Sequence, residues 1–302
     1  MPLFRRKQNG PSSGAAASHP NRSARLAPEP RSESEQSDWR SYDAIAEEYA
    51  RVQAPVMELP APDLVELAQV GPGARVLDVG TGTGVAARAA SAAGSDGSVV
   101  GVDPSLPMLQ LASRAGGGPS YAAATAIDLP FRDATFTHVL ANFVIAHFPR
   151  YDTALFDILR VMRPGGRLGV TTWGPADDKD EFRKTWRGVA EEYAEPEMLA
   201  DALQRAVPWE ELFSNKDELK EVLHDAGLRD IWVEKRDYRF ETSAEDYLVS
   251  RETAATGRFL RQMLGEELWE VFRRRTREVF ADRFPPRIND FREVILAAGH
   301  KP

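Results

Sequence analysis

The densest concentration of potential chemistry in this 302-residue chain is Val76–Gly84, VLDVGTGTG. Glycines at 80, 82 and 84 let backbone approach a ligand where a Cβ would collide. A helix start behind such a turn presents free N–H groups and partial positive charge. By itself this pattern serves several nucleotides. Two carboxylates narrow the choice. Asp78 precedes the glycines, where it can pair with a ligand ammonium, and Asp103 follows in VVGVD, where it can accept both hydroxyls of a ribose. A ligand with an amino group and a ribose but no pyrophosphate fits that pair. Asp78 would repel the pyrophosphate of a dinucleotide and attract the aminocarboxypropyl end of S-adenosylmethionine. The nicotinamide fingerprint also asks for Gly or Ala where this chain has Val85.

Other residues lie where the same ligand or its reaction partner would sit. His147, in NFVIAHFP, is the candidate general base, since an ordinary imidazole near pH ~6.5 suits proton removal at neutrality. Asn142, close by, is a candidate contact to the methionine part of the cofactor. Trp173, Trp186, Trp209 and Trp232 are candidates for either core or the wall of a substrate pocket. Arg273–Arg275 and Arg277 stand among Glu278 and Asp282 and read as a solvated, salt-bridged helix face.

Apolar runs at Arg75–Val79, Ser98–Val102, Ser120–Ala123, Thr135–Phe143 and Arg167–Trp173 predict strands, with helices over Val85–Ala93, Leu106–Ala115 and Tyr151–Met162 between them. Strands separated by helices imply a parallel α/β sheet with right-handed crossovers, doubly wound, with ligands at its carboxyl edge. Two helical segments are expected from Trp39 to Val70. Residues 178–213 read as a helical cap, and Ser214 with Asp217 as a capping box for a helix ending at Gly227. A strand at Asp230–Phe240, a helical pair over 243–283 and a last strand at Asp290–Ala297 bring the sheet to seven strands, mostly parallel.

The ordered set Val76–Gly84, Asp103-Pro104-Ser105 with Met108-Leu109, Leu129-Pro130-Phe131 and Arg163–Leu168 resembles the class I S-adenosylmethionine-dependent methyltransferases. Within them it is similar to the branch of ubiquinone/menaquinone and natural-product small-molecule methyltransferases. The resemblance covers roughly residues 39–173 and implies a Rossmann-like methyltransferase fold. It implies that Gly80, Thr81 and Gly82 pass under the methionine part of the cofactor and that Asp78 holds its amino group. Asp103 and Pro104 would flank the ribose, Met108 would lie against adenine, and Ala126 would offer backbone to the adenine edge. Thr125 stands where relatives often carry an acid. Tyr42 and Tyr49 resemble an aromatic N-terminal lid.

The expected organisation is a disordered tail (1–37), a helical lid (38–70), a cofactor-binding core (71–173), and a cap with the last strands (174–302). The chain is 42% hydrophobic, enough for a sizeable core, and it contains no cysteine, which excludes thiolate chemistry and disulfides. No metal site is expected. Net charge is −8; residues 1–37 carry six Arg/Lys against three Asp/Glu, which leaves −11 for the rest. So acidic a body argues against nucleic acid as main partner. Asn142–Ile145 also lacks the Asn/Asp-Pro-Pro-aromatic motif of enzymes that methylate nucleic-acid bases. No apolar run reaches the ~18 residues of a membrane span, and no secretory signal is evident, so the expected setting is cytoplasmic. The expected function is methyl transfer to an O, N or C atom of a small molecule, and a homodimer is compatible with it. The rivals are a nicotinamide-dependent oxidoreductase and a non-methylating binder or cyclase on the same fold.

Overall fold

A computed structural model describes residues 38–94, 98–175 and 180–302. The tail expected at 1–37, with its Arg5–Lys7 cluster, lies outside the described residues, as do 178 and 179 at the start of the cap.

The described residues open with a 3-10 turn (Asp43–Ile45) and three short helices, α1 (Ala46–Val52), α2 (Ala54–Glu58) and α3 (Ala61–Leu67), where two segments were expected. Pro55 and Pro62 enter α2 and α3 in their first turns, where no N–H partner is needed, and so divide the run. The core follows as β1 (Val76–Val79), α4 (Val85–Ala92), β2 (Val99–Asp103), α5 (Leu106–Ala115), β3 (Ser120–Ala123), β4 (Phe136–Asn142), α6 (Tyr151–Val161) and β5 (Met162–Trp173). Next come α7 (Glu181–Ala190), α8 (Pro196–Ala206), α9 (Glu210–Phe213) and α10 (Lys216–Asp225). The last elements are β6 (Arg229–Ser243), α11 (Ala244–Thr253), α12 (Ala255–Arg283, broken at Gly265) and β7 (Arg287–His300). Among the described residues no helix is long and apolar enough to cross a membrane.

The seven strands form one sheet in the order β3-β2-β1-β4-β5-β7-β6. Only the pairings of β7 are antiparallel. This is the doubly wound, mostly parallel α/β sheet that the sequence predicts. Chain direction across the sheet reverses between β1 and β4, so the crevice for a ligand lies at their carboxyl ends. Strand alternation distributes β1 between two cores. Leu77 and Val79 join Val139, Ile158 and Val170 on one face, while Val76 joins Leu64, Ala87 and Val294 on the other. Each such buried aliphatic side chain contributes roughly 1.5–3 kcal/mol.

The cap is two insertions. One is α7 to α9, after β5; the other is α11 and α12, between β6 and β7. They share an apolar core built on Trp186, Tyr247, Leu260, Trp269, Phe272 and Phe280. The strands β6 and β7 exceed their predicted spans. β5 stops pairing at Trp173↔Val294, but β6 and β7 stay paired out to Ser243↔Arg287. That two-stranded ribbon runs past the sheet's carboxyl edge and forms one wall of the cap. A local correction concerns α10: its N-cap is Asn215, whose side chain accepts from the Asp217 and Glu218 amides, and not Ser214. The Ser214 hydroxyl instead donates to the Glu211 carbonyl (2.9 Å).

Candidate active site

The turn after β1 sits where the sequence places it. Gly80, Gly82 and Gly84 have φ of 66°, 52° and 82°, a left-handed run that only glycine adopts without strain. The reasons differ along the run. A Cβ on Gly80 would collide with the Val144 side chain, in the loop after β4, so this glycine closes the crevice where the sheet reverses. A Cβ on Gly82 would meet nothing within 4 Å. Gly82 therefore borders open space at the mouth of the turn.

Asp103 ends β2 and is braced there: Oδ2 accepts from the Gly82 amide (2.9 Å) and Oδ1 from the Ser105 amide (2.9 Å). Burial pushes its carboxyl pKa up, and the two amides pull it back. Each oxygen retains acceptor capacity, as ribose hydroxyls require. Ser105 is the N-cap of α5 and donates to Asp43 of the lid turn (2.6 Å). Pro104 is exposed beside Asp103, whereas Met108 is buried (2% exposed) in α5. The Ala124 amide donates to the Asp103 carbonyl (3.3 Å), which brings the loop with exposed Thr125 and half-buried Ala126 alongside.

Asp78 alternates to the same face of β1 as Val76, toward α4. It is 1% exposed, and its Oδ2 accepts from the Thr81 hydroxyl (2.6 Å) and the Ala87 amide (3.0 Å). Half of this carboxylate thus holds the turn to α4, and Thr81 is committed to it. The other oxygen, Oδ1, is buried without a hydrogen-bond partner. Burial raises the Asp78 pKa to about 7.

The lid aromatics meet His147. The Tyr42 ring stands edge-on to Tyr49 (5.6 Å between centroids) and to His147 (6.0 Å). Burial pushes the Tyr49 hydroxyl pKa upward. His147 lies in a 3-10 turn, Ile145–His147, after β4. Burial, with the charge of Arg258, lowers its pKa to about 4 against a backbone hydrogen bond with Ala206. The ordinary imidazole expected from sequence is not what the fold provides: this histidine is neutral, and a weak proton acceptor, throughout the physiological range. Asn142 ends β4 with its Oδ1 accepting from the Thr171 hydroxyl (2.6 Å). Phe143, next in sequence, has φ of 55°, unusual for a bulky residue, and stacks on Trp173 (4.1 Å).

A cavity of about 860 Å³ lies between sheet edge, lid and cap. Tyr42, Tyr49, His147, Phe143 and Trp173 line one part of it, and Trp186 lies on the cap side. Of the other tryptophans, Trp209 is core, donating to the Phe148 carbonyl (2.8 Å), and Trp232 is 62% exposed on β6, away from the cavity. The arginines of α12 form the salt-bridged face expected: Arg273 pairs with Glu252 and Glu270, Arg275 with Glu192, and Arg277 with Glu245 and Glu252. Among the described residues there is no cluster of His, Asp and Glu suited to a metal. Arg251 and Arg258 stand on cap helices α11 and α12 with no motif around them to mark them in the sequence.

A family model described as a methyltransferase domain matches residues 77–170, and one for protein-L-isoaspartate(D-aspartate) O-methyltransferase matches 33–115. A demethylmenaquinone methyltransferase of Parafrankia sp. is 37% identical over 159 residues, 46% of this chain and 59% of that protein. One from Paenarthrobacter aurescens is 30% identical over 177 residues, 56% of this chain and 67% of that protein. The chain spans about half the length of the first curated relatives it matches. Among solved structures, phosphoethanolamine N-methyltransferase 2 of Haemonchus contortus, in complex with S-adenosyl-L-methionine, aligns with a TM-score of 0.51 and 19% identity. That alignment covers 89% of this chain and 61% of that one, and at this identity it speaks for the fold.

Proposed function

The chain belongs to the class I S-adenosylmethionine-dependent methyltransferases, and we propose that it methylates a small molecule held between sheet and cap. The observation that carries this reading is the pairing of Gly82, whose missing Cβ leaves open space, with Asp103, fixed by the Gly82 amide itself. A ribose-accepting carboxylate and a bare backbone edge thus form one unit. The unpartnered Asp78 Oδ1 adds a buried acceptor for an ammonium. These residues fit S-adenosylmethionine and fit a dinucleotide poorly, because a pyrophosphate would meet two carboxylates.

When bound, the cofactor supplies a methyl group already activated on a sulfonium. The chain's own task is then alignment and exclusion of water, and positioning can account for ~7–11 kcal/mol of a barrier. Asp103 would hold the ribose, with Thr125 and Ala126 at the adenine side and Asn142 toward the methionine part. Tyr42 and Tyr49 would close the cofactor off from solvent, and the Phe143–Trp173 stack would form a flat wall for the acceptor. His147, held neutral, would support the lid ring from beneath. The nucleophile would then arrive already acidic, or lose its proton to water.

Calorimetry with S-adenosylmethionine, S-adenosylhomocysteine and NAD tests the cofactor. The first two should bind and NAD should not, and Asp103→Ala should weaken both by about tenfold or more, the ~1.4 kcal/mol of one charged hydrogen bond. Transfer of a labelled methyl group to a small-molecule panel tests the activity. Binding of NAD alone would overturn the proposal. Tight cofactor binding without any methylated product would favour the non-methylating reading.

A further inference from the structure

The cap end of the cavity holds polar groups that methyl transfer itself does not use. Arg183 and Trp186 of α7, Glu210 of α9, Tyr247 and Arg251 of α11, and Asp290 of β7 all line it. Five of the nine buried side-chain atoms without a hydrogen-bond partner among the described residues belong to this group: Trp186 Nε1, Glu210 Oε2, Tyr247 Oη, Arg251 Nε and Asp290 Oδ2. Buried polar groups are ordinarily satisfied, because an unmet donor or acceptor forfeits its hydration. Several together in one cavity, from four separate elements, mark a place that a polar ligand completes.

The charges indicate what kind. Arg292 is answered by Asp290 (2.7 Å), whose Oδ1 also accepts from the Phe291 amide (2.8 Å). Arg251 makes no ion pair among the described residues, and the nearest aromatic face is Tyr247, 5.5 Å from its guanidinium carbon to the ring centroid. Burial drives Glu210 toward its neutral, hydrogen-donating form and lowers the Arg251 pKa. The unpartnered Nε belongs to the side-on edge of the guanidinium, the edge that matches the two oxygens of a carboxylate.

We propose that the methyl acceptor is a carboxylic acid whose carboxylate docks on the Nε edge of Arg251, flanked by Tyr247 Oη and Trp186 Nε1. The inference rests on the small-molecule methyltransferase reading and names the acceptor's class. Asp290 Oδ2 then accepts a hydroxyl or amino hydrogen of the same molecule, so the acceptor carries a donor as well as an acid. Arg251 is here a specificity residue on the cap side of the cavity.

The test uses the full chain, ¹⁵N-labelled and saturated with S-adenosylhomocysteine, with benzoate as probe and benzamide as its neutral match. Benzoate should shift the Arg251 Nε–H resonance, assigned by its loss in Arg251→Met, and should bind at least tenfold more tightly than benzamide. Arg251→Met should abolish that preference while leaving S-adenosylhomocysteine affinity within twofold, and Arg251→Lys should restore part of it. An Arg251 resonance unmoved by benzoate, or benzoate bound no more tightly than benzamide by the wild type, overturns the proposal; the wild-type affinities decide it even where a variant fails to fold. Failure of S-adenosylhomocysteine to bind would instead strike the cofactor reading, and the benzoate titration reads the subsite separately.

Discussion

The guanidinium of Arg258 lies over the ring of Tyr42, its carbon 4.4 Å from the ring centroid, and so joins cap to lid across most of the chain's length. Arg258 is 7% exposed and also donates to the carbonyls of Trp39 (2.8 Å), Thr253 (2.7 Å) and Arg40 (3.4 Å). Two of those acceptors are lid backbone. One buried cation thereby orders the segment whose Tyr42 reaches His147 and whose Asp43 meets Ser105 beside Asp103.

Loss of that cation should loosen the lid more than the core. Arg258→Met is expected to weaken cofactor binding by about tenfold, near 1.4 kcal/mol, through a faster off-rate. Limited proteolysis should cut the variant in the lid while the sheet stays resistant. Unchanged dissociation kinetics would mean that the lid closes without Arg258.

Under the proposed role of Asp78, cofactor binding should be linked to a proton. Its pKa is raised to about 7 in the free protein, so near neutrality it is partly protonated. An ammonium beside Oδ1 would favour the charged form, lower that pKa and expel the proton, so affinity should rise as pH climbs from 6 toward 7 and then level. Calorimetry at pH 6.5 in two buffers of different ionisation heat counts the protons released. Asp78→Asn should abolish this release, and since the cofactor's own amino group titrates alike in both proteins, an equal count would sink the assignment.

The sequence makes the cofactor half of this molecule legible because its determinants are local. A buried strand running into glycines places Gly80 and Gly82, and VVGVD ends where Asp103 must stand. Asp78 shows in the sequence by its place before the glycines, while its turn toward α4 and its bond to the Ala87 amide emerge only in the fold. What stayed hidden depends on contacts between distant segments. Nothing near Arg258 announces that its partners are Trp39 and Tyr42, and nothing near Arg251 shows that it is buried without an ion pair among the described residues. The lowered pKa of His147 comes from burial and from Arg258, and NFVIAHFP contains neither. The ribbon of β6 and β7 outruns its predicted ends because each strand finds a partner beyond the sheet.

Gly80 and Gly82 should fail in different ways. Both have positive φ, so an alanine at either costs about 1–2 kcal/mol of backbone strain. Gly80→Ala adds a collision with Val144 at the junction of β1 and β4, and should lower thermal stability well beyond Gly82→Ala. Gly82→Ala should instead fold, keep most of its stability, and lose cofactor affinity as its methyl enters the open space. Thermal melts with and without S-adenosylhomocysteine separate the two. Equal binding by Gly82→Ala and wild type would show that the cofactor's edge lies elsewhere.

His147 allows a last prediction in which stability and turnover point to one cause. Its folded pKa, about 4, lies below the ordinary 6.5, so the folded state resists the proton that the unfolded chain accepts. Its contribution to stability is therefore complete above pH 6.5 and is lost as pH falls toward 4, by up to about 3 kcal/mol. His147→Gln, which takes no proton, should remove that part of the acid destabilisation; melting temperatures at pH 7.5 and 5 in both proteins measure it. Because the imidazole stays neutral from pH 5.5 to 8, the pH–rate profile of methyl transfer should keep its shape in the variant, with turnover reduced less than tenfold. Loss of a limb from that profile on substitution would make His147 the proton acceptor after all, with a pKa raised by the bound acceptor.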